Sequence, residues 1–126
     1  MSRTAIHTDL APKAIGPYSQ AVRTGNTVYL SGQAALDPKT GELVKGGVEA
    51  EARRVFENLK AVAEAAGGGF PQVVRVAVYL TDLANFSKVN AIMAEYFHEP
   101  YPARTTIGVA ALPRGALVEV DAVMAV

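Results

Sequence analysis

The strongest constraint on the fold is a run of apolar residues at helical spacing in the middle of the chain. They recur at intervals of four and three, which places them on one stripe of an α-helix. The stripe consists of Val48, Ala52, Val55, Leu59, Val62 and Ala66. Two oppositely charged pairs at four-residue spacing flank it and are expected to interact weakly. These pairs are Glu49 with Arg53 and Lys60 with Glu64. The helix is predicted to end at Gly67, because glycine is common just beyond a helix C-terminus.

Segments before this helix have the pattern of strands and turns. Residues 19–23 and 27–31 are predicted to form a β-hairpin, because the intervening Gly25 and Asn26 tolerate the positive φ of a tight turn. Residues 37–41, with the sequence Asp-Pro-Lys-Thr-Gly, are a second turn signal.

A strand, a second helix and two further strands are predicted to follow. Residues 73–80 alternate as a strand does, and one of its faces is expected to be core. One face would carry Val74, Val76, Val78 and Leu80, and the other Val73, Arg75, Ala77 and Tyr79. Residues 81–82 can cap a helix whose stripe is Phe86, Val89, Met93, Tyr96 and Phe97. The two prolines in residues 99–102 stop that helix, and strands follow at 103–109 and 116–125.

The order of these elements predicts a single α+β domain over residues 1–126. It favours one mostly antiparallel sheet with both helices packed on its apolar face. A chain of 126 residues, half of them hydrophobic, is large enough for its own core, since domains usually have about 100 to 150 residues.

Charge and cysteine content exclude several classes of function. Twelve Lys and Arg residues balance twelve Asp and Glu residues, so there is no overall positive field to gather nucleic-acid phosphates. Without cysteine there is no disulfide, thiolate nucleophile or cysteine metal site. There is no signal-type segment, and no apolar run reaches the roughly 18 residues of a membrane span. We therefore expect a cytoplasmic protein without a membrane partner. The charge balance argues against a dedicated nucleic-acid binder but leaves a local basic patch open.

Residues 103–125 hold the most informative polar pattern. If their two strands pair as a hairpin, Thr106 falls opposite Glu119, and Arg104 falls opposite Asp121. A guanidinium can grip a carboxylate through two charge-assisted hydrogen bonds, and a nearby carboxylate can deprotonate water. The alternative is a solvated sheet face with a cross-strand ion pair worth about 0.2 to 1 kcal/mol. The hairpin alone favours this alternative, because structural ion pairs outnumber active sites.

Other motifs indicate neither a metal site nor a nucleophile. The three glycines at 67–69 follow a helix instead of opening one, so we interpret them as a connector and not as a phosphate cradle. His7 and His98 lack metal-ligand spacing. Ser31 lacks the elbow motif of a nucleophilic serine and is expected to make a polar contact at a strand end.

Five ordered blocks of sequence extend over essentially the whole chain. They are AIGPYSQA at 14–21, YLSGQ at 29–33, Asp37-Pro38 with Thr40-Gly41, VYLTDL at 78–83 with Val89-Asn90, and PARTT at 102–106 followed by Leu112-Pro113 and LVEV at 117–120. In this order they resemble the reactive intermediate deaminase family (Rid, older name YjgF).

The resemblance implies the chorismate-mutase-like (bacillus-type) fold, a homotrimer and ligand sites in the clefts between subunits. Arg104 would bind the substrate carboxylate, and Glu119 would position the hydrolytic water. Tyr18, Ser31, the backbone of Gly32, Asn90 and Thr106 would complete the pocket. Thr106 departs from the cysteine of well-known members, which keeps a small polar group and bears on substrate preference more than on activity.

The implied reaction is hydrolysis of 2-iminobutanoate or 2-iminopropanoate to a 2-oxo acid and ammonia, with no metal or organic cofactor. A protonated imine is already electrophilic, so the protein need only hold the carboxylate and aim one water. Two alternatives stay open: an endoribonuclease or translation inhibitor, and a non-catalytic small-carboxylate-binding or chaperone-like module. Balanced charge speaks against RNA, and turnover of a freshly made imine would separate an enzyme from a binding module.

Overall fold

The computed structural model describes residues 2–126, which form six strands and two helices. In chain order these are β1 (Thr4–Ile6), β2 (Ala21–Thr24), β3 (Thr27–Gln33), α1 (Gly47–Ala65), β4 (Val73–Leu80), α2 (Phe86–Tyr96), β5 (Ala103–Gly108) and β6 (Val118–Ala125). Short 3-10 turns precede β4, α2 and β6, at Phe70–Gln72, Leu83–Asn85 and Pro113–Gly115. The hairpin of β2 and β3 and both helices lie where the sequence predicted them.

The strands of this region form one mixed sheet in the order β1-β2-β3-β6-β4-β5. Neighbouring strands are antiparallel except β4 and β5, which run parallel and are joined through α2. The helices pack against each other and against one face of the sheet, where the buried apolar side chains form a continuous core. The predicted α+β architecture is confirmed.

The last two strands do not pair with each other, so the predicted C-terminal hairpin is wrong. β6 lies between β3 and β4, and β5 lies on the far side of β4. The expected oppositions of Thr106 with Glu119 and of Arg104 with Asp121 therefore do not form. The burial of the two strands explains this order. β6 buries every second residue and suits the interior of the sheet, whereas β5 has no buried residue and suits an edge.

Helix α1 turns its predicted stripe towards the core, and all six stripe residues are buried. Gly67, with a φ of 90°, follows the end of the helix as expected. Neither of the two pairs predicted on its flanks is a salt bridge within residues 2–126. Arg53 instead pairs with Glu95 of α2, through Nη1–Oε1 and Nη2–Oε2 distances of 2.8 and 3.0 Å. A carboxylate on the neighbouring helix allows this two-point contact, which is stronger than a single one.

An irregularity in β4 changes which valines reach the core. The pairing with β6 shifts register between Val73 and Arg75, which leaves Val74 as the extra residue of a β-bulge. Val73 is buried, whereas Val74 is 50% exposed. Strict alternation is therefore wrong at the start of the strand and correct beyond the bulge.

Helix α2 begins at Phe86, after a 3-10 turn, so residues 81–82 do not cap it directly as predicted. Asp82 caps the preceding 3-10 turn, where its Oδ1 accepts the backbone N–H of Ala84 at 2.9 Å. Val89 and Met93 are buried as expected, and Ile92, which the stripe omitted, is buried with them. This helix covers the edge of the sheet beside β5.

Candidate functional site

The predicted site residues lie on two different faces of the sheet. Arg104 and Thr106 on β5 lie beside buried residues of β4, so they belong to the face that the helices cover. Glu119 lies beside Tyr79, which is on the open face. One copy of the chain therefore does not bring Arg104 and Glu119 into one site.

Arg104, but not Thr106, lines a cavity of about 480 Å³ between α2 and β5, here called the edge cavity. Its lining is Asn90, Met93, Ala94, Phe97, Tyr101, Pro102 and Arg104. Nη1 of Arg104 donates to Oδ1 of Asn90 at 2.6 Å, and the guanidinium carbon lies 5.2 Å from the centre of the Phe86 ring. These contacts hold the guanidinium in place, and it has no salt bridge within the described chain. A carboxylate can therefore take the remaining donors.

Thr106 lies two residues further along β5 from Arg104. Its Oγ1 is buried and has no hydrogen-bond partner within residues 2–126. An unpaired buried hydroxyl is costly, so this atom is one that a ligand or a second chain could satisfy.

The second group lines a cavity of about 240 Å³, here called the Glu119 cavity. It brings Tyr18, Gly32 and Glu119 together, as the resemblance implied. Its full lining is Pro12, Lys13, Ile15, Tyr18, Gln20, Gly32, Gln33, Ala34, Leu36, Pro113, Arg114 and Glu119. Three segments that are distant in sequence meet here: the approach to β2, the end of β3 and the start of β6.

The carboxylate of Glu119 lies directly over the backbone of Gly32. A Cβ atom at Gly32 would be 2.6 Å from Oε2 and 3.0 Å from Cδ of Glu119, too close for any other residue without a shift. The register between β3 and β6 also shifts between Leu30 and Gln33, on either side of this glycine. The absence of a side chain at Gly32 thus leaves room for the carboxylate in this position.

The surroundings of Glu119 favour its protonated form. Burial raises the pKa of Glu119, and the nearby Asp121 carboxylate raises it further. Tyr79 Oη donates to Oδ2 of Asp121 at 2.8 Å, and this bond raises the pKa of Tyr79, which stays neutral. A carboxylate whose pKa is raised above the usual range is a better proton acceptor for water than an ordinary one.

Ser31 and Gln20 fix the segment that carries Tyr18. Oγ of Ser31 donates to the backbone oxygen of Ser19 at 2.6 Å, which is the polar strand-end contact that was predicted. The buried Gln20 donates to the oxygens of Thr8 and Pro12 at 3.0 and 2.9 Å. Sequence reasoning missed Gln20, since a glutamine ahead of a strand carries no signal of its later burial.

The remaining sequence candidates have no place in either cavity. His7 is exposed and contacts Asp9 at 3.0 Å, and His98 is exposed as well. Residues 2–126 contain no group of three or more side chains that could hold a metal ion. The glycines at 67–69 connect α1 to the turn before β4. Neither helix of the described chain is long and apolar enough to cross a membrane.

The helix-backed sheet and its two small cavities, each lined by at least one charged side chain, define an α+β protein with two candidate small-molecule sites. Residues 8–126 match the family described as Endoribonuclease L-PSP. The chain belongs to this family, which is the Rid (YjgF) family that its five sequence blocks resemble.

Three relatives illustrate the similarity. The chain is 56% identical over 125 residues to Protein DfrA of Myxococcus xanthus, covering 98% of this chain and 95% of that one. It is 50% identical over 121 residues to the 2-iminobutanoate/2-iminopropanoate deaminase of Mus musculus, covering 96% and 90%. The crystal structure of RidA from an Antarctic Psychrobacter superposes with a TM-score of 0.94 at 50% identity, covering 98% and 99%. The fold of the crystal structure agrees with the one described here.

Proposed function

We propose that this protein hydrolyses small 2-imino acids, 2-iminobutanoate and 2-iminopropanoate among them, to 2-oxo acids and ammonia. It would thus be a hydrolase acting on C–N bonds, and the mouse relative is named 2-iminobutanoate/2-iminopropanoate deaminase. The observation that carries the proposal is a pair of complementary half-sites. One is the guanidinium of Arg104 without a salt bridge, and the other is the half-buried carboxylate of Glu119 with its raised pKa.

The complete site lies between two copies of the chain in a homotrimer. Within one copy, Arg104 and Glu119 belong to opposite faces of the sheet. The open face also leaves Tyr29 54% exposed and Ile107 44% exposed, and apolar surface of this kind favours a protein partner. A neighbour that covers this face can bring its edge cavity to the Glu119 cavity. One copy then supplies Asn90, Arg104 and Thr106, and the next supplies Tyr18, Ser31, Gly32 and Glu119.

The proposed reaction needs only the groups of these half-sites. The substrate carboxylate binds Arg104 through two parallel hydrogen bonds, with Asn90 holding the guanidinium in place. A water beside Glu119 attacks C2, and Glu119 accepts its proton as the carbon–oxygen bond forms. Glu119 gives this proton to the nitrogen and then transfers the remaining hydroxyl proton to the nitrogen in the same way. The carbon–nitrogen bond breaks, ammonia leaves and the C2 carbonyl forms. One imine and one water give one 2-oxo acid and one ammonia, so no metal, oxidant or organic cofactor is required.

Turnover of a freshly generated imine tests this proposal. An amino-acid oxidase produces 2-iminobutanoate from 2-aminobutanoate in the cuvette, and semicarbazide traps whatever imine escapes hydrolysis. We expect catalytic amounts of this protein to lower the yield of trapped imine and to speed ammonia release. No effect at a protein concentration equal to that of the imine would contradict the proposal.

The same preparation distinguishes the alternatives. Saturable binding of 2-oxobutanoate without turnover would indicate a non-catalytic or chaperone-like module. RNA cleavage that weakens steeply with salt would indicate the endoribonuclease, but the balance of twelve positive and twelve negative side chains gives no general attraction for phosphates.

The cytoplasmic location of the protein stays a prediction.

A further inference from the structure

Two cations line the Glu119 cavity, and the reaction proposed above uses neither of them. Lys13 lies on the segment that precedes Tyr18, and Arg114 lies on the turn that precedes β6. Neither side chain is in a salt bridge within residues 2–126. Glu119 is the only carboxylate in the lining of this cavity. The lining therefore carries one more positive charge than negative charge.

The backbone of Arg114 supports a functional purpose for its side chain. Arg114 has a φ of 64° and a ψ of 14°, and it is the one residue other than glycine in the described chain with a positive φ. This conformation is costly for most residues that carry a Cβ. Gly has no Cβ, and Asn tolerates the conformation better than Arg, so either would be the less costly choice. Strain of this kind is concentrated at ligand-binding positions.

A hydrogen bond fixes the direction of the Arg114 guanidinium. Its Nη1 donates to the backbone oxygen of Gly41 at 2.8 Å, across 73 residues of sequence. This bond uses one of five N–H donors, so the others are left for a ligand. The lining thus holds a tethered guanidinium and an ammonium in the same cavity as the carboxylate that would activate water.

We propose that this site also takes 2-imino acids with a second carboxylate on the side chain, and that Lys13 and Arg114 bind that carboxylate. The inference rests on the function proposed above. Arg104 of one copy would hold the C1 carboxylate, and Glu119 of the next would direct water to C2. The distal carboxylate would reach the two cations. The reaction is unchanged: water replaces nitrogen on C2, and ammonia leaves. Such substrates arise where the amine of an acidic amino acid is oxidised.

A matched pair of four-carbon substrates tests the proposal. The imine of 2-aminobutanoate has a methyl group at C4, and the imine of aspartate has a carboxylate there. Amino-acid oxidases generate both imines in situ. The measured quantity is the ratio of kcat/KM for the dicarboxylic imine to kcat/KM for 2-iminobutanoate. We expect the wild-type ratio to exceed one. Lys13→Gln and Arg114→Gln should each lower it by roughly tenfold, the scale of one charge-assisted hydrogen bond.

Controls separate charge from structure. Lys13→Gln leaves the bond between Arg114 and Gly41 untouched, so a lower ratio in this variant cannot come from the loss of that bond. Lys60→Gln removes a charge from exposed α1 surface outside both cavities and should keep the ratio. Equal losses on both substrates, or a wild-type ratio at or below one, would overturn this inference and leave the deaminase proposal intact. No turnover of 2-iminobutanoate by the wild-type protein would instead overturn the deaminase proposal, and this inference with it.

Discussion

The edge cavity and the Glu119 cavity hold their charged groups in contrasting environments. In the edge cavity, Arg104 is exposed, bonded to Asn90 and permanently charged. In the Glu119 cavity, the carboxylate is half buried over Gly32, and its pKa is raised towards the range in which it can exchange protons. The first environment suits the binding of a fixed anion, and the second suits a change of protonation. Substitutions in the two cavities should therefore separate affinity from turnover.

Glu119→Gln should give the largest effect. It keeps the shape of the side chain but removes the proton acceptor, so we expect kcat to fall by about 10²- to 10⁴-fold with affinity for 2-oxobutanoate retained.

The burial that raises the pKa of Glu119 also predicts an unchanged or higher melting temperature for Glu119→Gln at neutral pH, because the variant no longer buries a charge. In the wild type, activity should fall as pH drops through the raised pKa, since the base must be deprotonated. Steady-state kinetics, calorimetry of product binding and a pH profile check these outcomes. Wild-type turnover in the variant would show that Glu119 is not the base.

Substitutions of Arg104, in the edge cavity, should lower ligand affinity. Arg104→Ala removes both charge and fork, and affinity for 2-oxobutanoate should fall by roughly tenfold to a hundredfold. Arg104→Lys keeps the charge but loses the two-point geometry, so its affinity should lie between those of Ala and the wild type. Normal hydrolysis by Arg104→Ala would show that Arg104 does not bind the substrate.

Gly32→Ala tests whether a missing side chain positions the carboxylate. The added Cβ must displace Glu119, and a shift of this kind should lower kcat by roughly tenfold or more while product affinity changes less. Gly69→Ala is the matched control, because the nearest side chain or backbone atom to a Cβ there lies 3.6 Å away. If both alanine variants keep full kcat, the close approach of Glu119 to Gly32 has no catalytic importance.

Thr106 should give the smallest effect. Thr106→Val keeps the volume and removes the hydroxyl that lacks a partner, so we expect turnover within about twofold of wild type. The melting temperature should be equal or higher, because an unpaired buried hydroxyl is lost. A large loss of turnover would make the hydroxyl a participant in the reaction.

Local pattern was enough to predict most of the elements. The α1 stripe, the glycine that ends the helix and the turn between β2 and β3 all depend on neighbours within a few residues. The sequence blocks also singled out two pairs of residues that lie close together in the structure, Asn90 with Arg104 and Gly32 with Glu119. The single pocket that the resemblance implied is divided between two cavities in one copy of the chain.

Long-range pairing was the part that local pattern could not predict. β5 and β6 follow each other in sequence, and only the placement of β6 between β3 and β4 shows that Arg104 and Glu119 lie on opposite faces. The bulge at Val74 could not be predicted for the same reason, because an extra residue in β4 is defined only by its pairing with β6. Lys13 and Arg114 carried no motif, and only folding brings them to Glu119.

The most direct test of the central claim combines two impaired variants in one oligomer. If the site takes Arg104 from one copy and Glu119 from its neighbour, co-expressed Arg104→Ala and Glu119→Gln chains form some interfaces with both groups intact. Random mixing of equal amounts should restore activity to about a quarter of the wild-type value per site, whereas each variant alone, assayed at substrate concentrations below KM, should stay roughly tenfold or more below the wild type. Imine hydrolysis by the purified mixed oligomer measures this. Mixed oligomers with no more activity than the parent variants would contradict a site shared between two copies.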